Sequence, residues 1–562
     1  MSAVRSLTAA VAAWVPSPSR SLDRSLGTLG VDRSAEAVVA LGYGLAVVGL
    51  LGGAVAALVT GSPLPGFVGA GAGAIGGYAV LWFPRWLATV RRARALGSAP
   101  ELLALAVLRV HLEPTLEGAA AFAADHGHGP LADGLARSVR RARGTPDAGW
   151  TAFADRWGDW GPAIHRAVGL LDAAVAAPSA DRGRFLDRAL DAVLDGVRDR
   201  TARYAAAIRG PVGALYAFGV VLPLALVGAL PAVRTAGVAV PLVALAAVFD
   251  VLLPVALLAG GAWVVGRRPT AFPPSPVPRT HPRVPDRRAH ATAAAVGVAS
   301  LAWLAGGSLV PVWTRPVLLA AAPGAALVVW FRPVVAVRER VRDLEAGLGD
   351  ALAVVGGRLR RGDALERAVE VAGESLDGPA GRVFRDAART GDRLGLDGRA
   401  SLVGADGALS TVPSRRARAA ATLVVRAASA GSRGGTVLVE VADHLDALHR
   451  VERESRANLR TVVSTLRSTA LCFGPLVGGA TVALAARIDA AGVDRVPGSL
   501  PVGALGAVVG GYVVVTAVLL AALAAALDRG LDRAAIGYAI GVALCSAPPV
   551  FALTAALSAR LL

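Results

Sequence analysis

The residue best placed to do chemistry is Asp250. It interrupts the apolar run "LAAVFDVLLPVALLAGG" (245–261) and is the one ionisable residue well inside any long apolar window of the chain. A carboxylate in lipid is costly and marks function by default. Three roles fit it: a kink or helix-packing contact, a contact with a charged subunit, and proton or ion coupling. Pro254 lies four residues on, so the Asp250 carbonyl loses its helical donor and the helix is expected to open locally. Ion relays recruit several polar partners, and no second charge stands in another window. The structural role therefore ranks first.

Other spacings are weaker. "GAGAIGG" (71–77) satisfies G-x-G-x-x-G through Gly71, Gly73 and Gly76. A dinucleotide site needs that motif after a strand and at a helix start, whereas an apolar window with small residues predicts close helix packing. "DHGHG" (125–129) gathers Asp125, His126 and His128 ahead of Gly129-Pro130 and reads as a polar turn, because a metal site needs three or four converging ligands. In "DHLDALH" (443–449) the two histidines are five apart, off a common helical face, and Asp446 suits an i,i+4 pair with Arg450. Neither H-E-x-x-H nor G-x-S-x-G occurs. All 58 basic residues are arginine, so the phosphate-binding lysine of a P-loop and the amine of a Schiff-base enzyme are both missing. No enzyme activity, metal or cofactor is expected.

The elements that carry these residues follow from composition. The chain has 562 residues, 54% of them hydrophobic, and a positive mean hydropathy. About 20 apolar residues cross a bilayer, and nine windows qualify, near 37–59, 64–83, 211–233, 238–265, 291–310, 316–331, 469–486, 501–527 and 534–558. Cys472 and Cys545 fall in the seventh and ninth and read as small buried hydrophobes. The short N-terminal run "LTAAVAAWV", preceded only by Arg5, makes a poor signal peptide.

A net charge of +17 raises the question of nucleic acid, and its distribution answers it. Residues 100–209 balance 14 arginines with 14 carboxylates, and 338–468 carries 22 against 18. The excess sits beside apolar windows, at 85–95 and 266–290. Arginine there marks the cytoplasmic side of a membrane protein, so no nucleic-acid partner is expected. The rule places the N-terminal segment (1–36, with Arg5, Arg20, Arg24 and Arg33) and both long polar segments in the cytoplasm. Loops 234–237 and 311–316 and the C-terminus then lie outside, in a multi-pass protein of the cell membrane. Phe153, Trp157 and Trp160 belong to a cytoplasmic segment and form no interfacial belt.

The polar segments also look alike. "ELLALAVLRVHLEPTLEG" from 101 and "DALAVVGGRLRRGDALER" from 350 align at an offset of 249. Arg109 pairs with Arg358, Glu117 with Glu366, Glu101 with Asp350, and Gly129-Pro130 with Gly378-Pro379. The pattern of two spans, a helical segment and two spans occurs twice, with a ninth span appended. The expected fold is thus all-α and polytopic, a parallel tandem duplication. It runs as spans 1–2 (37–83), a first cytoplasmic helical domain (84–210), spans 3–4 (211–265) and a Pro/Arg-rich linker (266–290). Spans 5–6 (291–331), a second domain (332–468) and spans 7–9 (469–562) complete it. Val437, Val441, Leu445, Leu448, Val451, Leu459, Val462 and Leu466 predict one amphipathic helix running into span 7. Its counterpart feeds span 3, with Pro211 marking the junction. The paired Arg109, Arg358, Glu117 and Glu366 read first as solvated helix charge or ion pairs within each bundle, and second as partner contacts. "GLLGG" (49–53) is compatible with helix association, including a homodimer.

Helical segments carrying "DALERAVEVAGESLDGPAGRVFRDAARTG" (363–391) and "LVVRAASAGSRGGTVLVEVADHLDAL" (423–448), followed by a long helix into a span, resemble the type II secretion system F domain. The small-residue turn "SAGSRGG" (429–435) before an amphipathic "VLVEVADHL" is the most suggestive piece. "PTLEGAAAFAADHGHGPLADGLARSVRRARGTPDAGWTAF" (114–153) resembles it too, although "AAPSADRGRF" (176–185) has lost the glycine-rich turn. Nine spans resemble the longer archaeal members. The resemblance implies a platform without a catalytic site in a type IV pilus, tight-adherence or archaellum-type machine. Its partners would be a hexameric secretion ATPase, pilin-like subunits and the lipid bilayer. The alternative is a transporter or channel with large cytoplasmic regulatory domains, and a third option is a passive membrane anchor.

Overall fold

The computed structural model describes residues 22–23, 25–26, 35–61, 64–127, 129–142, 149–158, 162–235, 241–269, 277–278, 280–490 and 502–561. The N-terminal run 7–15, Arg5, Arg20, Arg24, Arg33, His128, Trp160 and part of the linker (270–276) lie outside them. Among the described residues the chain is helical, without a strand. Eight helical stretches there are long and apolar enough to cross a membrane: Ala35–Val59, Ser179–Leu230, Leu242–Gly266, Arg288–Ser308, Val312–Arg360, Gly431–Arg487, Val502–Arg529 and Arg533–Arg560. Nine were expected. The window at 64–83 is helical but is not in this set of eight.

Two compact units form, Met1–Arg94 and Ala95–Leu562. In the first, α1 (Ala35–Thr60) lies against α2 (Leu64–Gly97) through glycines at helical spacing. Gly42, Gly49 and Gly53 meet Gly77, Gly73 and Gly69 so closely that a side chain on Gly49, Gly69, Gly73 or Gly77 would strike the opposite backbone. Of the glycines in "GAGAIGG", Gly73 makes this contact while Gly71 and Gly76 face open space. The motif lies inside a helix, away from any strand–helix turn, and it packs helices.

The second unit contains two series of helices in one order. The first is α3 (Ala99–Leu112), α4 (Leu116–His126), α5 (Gly129–Arg141), α6 (Trp150–Gly158), α7 (Pro162–Ala176), α8 (Ser179–Tyr216), a π-helical turn Ala217–Val221 and α9 (Leu222–Thr235). Next come α10 (Leu242–Ala246), a π-helical turn Ala247–Leu252, α11 (Leu253–Gly266), α12 (Arg288–Ser308), α13 (Arg315–Leu319) and α14 (Ala321–Ala346). The second series is α15 (Leu348–Arg360), α16 (Leu365–Ser375), α17 (Gly378–Leu394), α18 (Gly398–Val403), α19 (Arg415–Ser429), α20 (Gly431–Ser468), a π-helical turn Thr469–Phe473 and α21 (Gly474–Ala490). The apolar helices α22 (Val502–Arg529) and α23 (Arg533–Leu561) close the chain.

Three of the six matched pairs are equal in length: α4 and α16 have 11 residues, α7 and α19 have 15, and α8 and α20 have 38, whereas α5 has 13 against 17 in α17 and α6 has 9 against 6 in α18. Both α5 and α17 open on a glycine with positive φ, Gly129 (+84°) and Gly378 (+77°), followed by proline. That conformation suits only glycine, and proline fits the first helical turn. Oxygens of Thr115, Asp397 and Ser414 cap α4, α18 and α19. Most buried apolar residues of both series belong to one core, between Ala95 and Val193 and between Leu344 and Ala442, and a second cluster of Ala104, Leu190, Leu194, Val197, Leu448 and Val451 joins α3, α8 and α20.

The three π-helical turns among the described residues share a feature, although Pro84, Pro333, Pro548 and Pro549 lie inside helices without one. Pro223, Pro254 and Pro475 each deprive a carbonyl four residues back, at Gly219, Asp250 and Leu471, and each of those residues lies inside a π turn. The local opening expected around Asp250 is therefore present, and it recurs twice. Pro211, expected at a junction, lies inside unbroken α8, and the π turn follows six residues later. α8 packs against α20, α9 against α21 and α11 against α22.

Candidate functional site

The polar centre of the second unit is Arg416, which the sequence reading did not single out. It lies in the first turn of α19, whose cap Ser414 is fully buried. Its guanidinium faces three carboxylates from three other helices: Glu345 of α14 at 3.4 Å, and Glu101 of α3 and Glu452 of α20 at 4.0 Å. Ser414 accepts from the Ala417 amide at 3.0 Å and donates to Glu345 at 2.7 Å, so the cap and the ion cluster are one network. Arg456 donates to Glu452 at 2.6 Å from one turn further along α20.

Electrostatics fix the charge state of this centre. Burial alone would lower the Arg416 pKa, but Glu345, Glu101 and Glu452 together raise it above the ordinary guanidinium value. Arg416 is therefore always charged. Glu345 moves up from the ordinary carboxylate value because it is desolvated, with Glu101 and Glu452 adding repulsion and Arg416 opposing. A single arginine thus holds the first series (Glu101), the second series, and two helices, α14 and α20, that continue apolar windows. Geometrically this is a joint. Among the described residues no group of three or more His, Cys, Asp or Glu could hold a metal ion.

A second set of polar contacts crosses the same boundary. His111 of α3 approaches Glu440 of α20 at 2.9 Å, and His444 of α20 approaches Asp187 of α8 at 2.9 Å. The His111 bond lowers the Glu440 pKa. His126 instead stacks on Phe122 within α4, its ring centroid 4.1 Å away. Asp446 feels Arg450 only at a distance and does not form the expected pair with it; it abuts Gly349 in the first turn of α15, where burial and the nearby Asp350 raise its pKa.

The four paired charges are not brought together. Arg109 pairs with Glu113 inside the first series, and Arg358 with Asp363 at 3.5 Å inside the second. Glu366 accepts from the Gly398 amide at 3.0 Å, tying α16 to α18, whereas Glu117 is exposed on α4. Asp250 lies in its π turn with Oδ1 buried and unpartnered among the described residues, and it faces Gly511 of α22, where an added Cβ would lie 3.3 Å away. Beside it Phe249 meets Tyr512 edge-on at 5.3 Å, and the Tyr512 hydroxyl donates to the Gly219 carbonyl that Pro223 leaves without a helical donor. No family model, curated protein or solved structure matches this chain.

Proposed function

We propose that the chain is the cell-membrane platform of a type IV pilus-like or type II secretion-like assembly machine. In this reading a hexameric secretion ATPase works on the two helical series, and the apolar helices pass pilin-like subunits into a filament. One observation carries it: helices Ser179–Leu230, Val312–Arg360 and Gly431–Arg487 run from the polar core into apolar windows, and two of them meet at Arg416. Movement imposed on the polar core would reach the membrane through stiff helices. The shared helix order, the three pairs of equal length and the glycine starts of α5 and α17 support an origin of the two series as a parallel tandem duplication. Arginine beside the apolar windows supports a cytoplasmic location for both series and for the N-terminus.

Crosslinking in intact cells, purification from solubilised membranes and mass spectrometry test this reading. A secretion ATPase and pilin-like subunits should accompany the chain. Their reproducible absence from filament-making cells contradicts it.

The transporter reading rests on a different observation, the unpartnered carboxylate oxygen of Asp250. Under the platform reading Asp250→Asn leaves filament assembly intact. A proton-dependent flux that Asp250→Asn abolishes would favour transport instead.

A further inference from the structure

A second cluster of arginines gathers where apolar helices become polar. Arg268 follows α11, Arg338 and Arg342 lie on α14, Arg456 and Arg467 on α20, and Arg529 ends α22. These six share four carboxylates, Glu339, Glu452, Asp528 and Asp532. Arg338 pairs with Asp532, Arg529 with Glu339 at 3.1 Å and Asp528 at 3.6 Å, and Arg467 with Asp528 at 3.8 Å. Arg456 is taken by Glu452, and Arg268 donates to the Asp528 carbonyl at 3.1 Å.

Donors remain after this pairing. Among the described residues Arg342, half-buried, has neither a hydrogen bond nor an ion pair, and Arg529 and Arg456 repel it while Glu339 and Asp528 attract it. The Nε atoms of Arg268 and Arg338 are buried without partners there. Like charges so close, with unmet donors, are unfavourable unless an anion joins them. The planar guanidinium fork matches phosphate oxygens in pairs. Basic pockets between helices at the end of apolar segments also lie at headgroup depth.

We infer that Arg342, with Arg338, Arg456 and Arg529, forms a binding site for a phosphate group, supplied by an anionic phospholipid headgroup or by free phosphate. The site is independent of which machine the chain serves. Native mass spectrometry of the full chain in mixed phosphatidylglycerol and phosphatidylcholine micelles tests it. Phosphatidylglycerol should be retained over phosphatidylcholine, and Arg342→Gln should weaken that retention about fivefold. Arg340→Gln, which removes an exposed charge from the same helix, should leave it unchanged. Inorganic phosphate is the second probe. If it binds the wild type without lipid and displaces phosphatidylglycerol, the ligand is the soluble anion; if it does neither, the ligand is the lipid.

Equal retention of both lipids with no binding of inorganic phosphate overturns the inference, as does an equal loss in Arg342→Gln and Arg340→Gln. Photoactivatable phosphatidylglycerol on the unmodified chain covers the case in which Arg342→Gln does not fold. Labels concentrated at 338–342 and 529 support a lipid site. In that case, labels spread evenly along the helix boundaries with no displacement by inorganic phosphate refute the site.

Discussion

The two helical series run in the same order but close by different means. The first fills its interior with large rings: Trp150 and Phe153 are buried edge to face at 5.9 Å, and Trp150 donates to the Leu116 carbonyl at 3.2 Å. The second brings backbones together through glycine. Gly356 of α15 faces Gly435 of α20, where an added Cβ would lie 2.8 Å from the Gly435 carbonyl, and Gly434 presses on α19 at Ala427. In the first series Val107 aligns with Gly356, and Gly183, the fifth residue of α8 as Gly435 is of α20, faces open space. The same order of helices is thus compatible with a ring-filled interior and with close backbone approach. The tighter series is the one that supplies Arg416 and leads into α21.

This contrast can be broken experimentally. Arg416→Met should have the largest effect, because three buried carboxylates from both series would lose their cation. Loss of a buried ion pair costs about 3–5 kcal/mol, readable as a large fall in Tm of the detergent-purified chain. Gly435→Ala should follow, at about 1–3 kcal/mol from overpacking against α15. Gly183→Ala, its counterpart, should instead be neutral or stabilise by up to about 1 kcal/mol, since alanine favours the helix and meets nothing. Equal effects at the two glycines would remove the distinction between the series.

Tyr512→Phe should cost about 0.6–1.7 kcal/mol by leaving the Gly219 carbonyl unpaired within an apolar helix. Glu366→Ala should cost about 0.5–1 kcal/mol through its lost bond to Gly398. Glu117→Ala should be silent within about 0.5 kcal/mol, because that side chain is exposed.

Much of this architecture was legible. Period and composition placed the apolar helices, and the aligned Gly129-Pro130 and Gly378-Pro379 are where α5 and α17 start. On α20 the expected stripe is buried at Val441, Leu448, Val451, Leu459 and Leu466, but Val463 replaces Val462. Pro254 marks the opening at Asp250, and Pro223 and Pro475 carry the same signal at Gly219 and Leu471. Pro211, expected to mark the junction with span 3, lies within the continuous helix α8.

Arg416 was not legible. In "SRRARAAA" three arginines lie within four residues, and only the fold decides that one faces Glu101, over 300 positions earlier. The pairing of Asp446 failed for the same reason, because α15 offered a closer neighbour than Arg450. Sequence spacing describes neighbours on one helix and is silent about those contributed by another.

The central claim is that Arg416 joins both series to the membrane-entering helices. Amide hydrogen exchange on the purified chain, wild type against Arg416→Gln, tests it most directly. The joint predicts faster exchange together in α3 around Glu101, in α14 around Glu345 and in α20 around Glu452, with α17 unchanged. Faster exchange confined to α19 would contradict it and leave the two series without a common hinge.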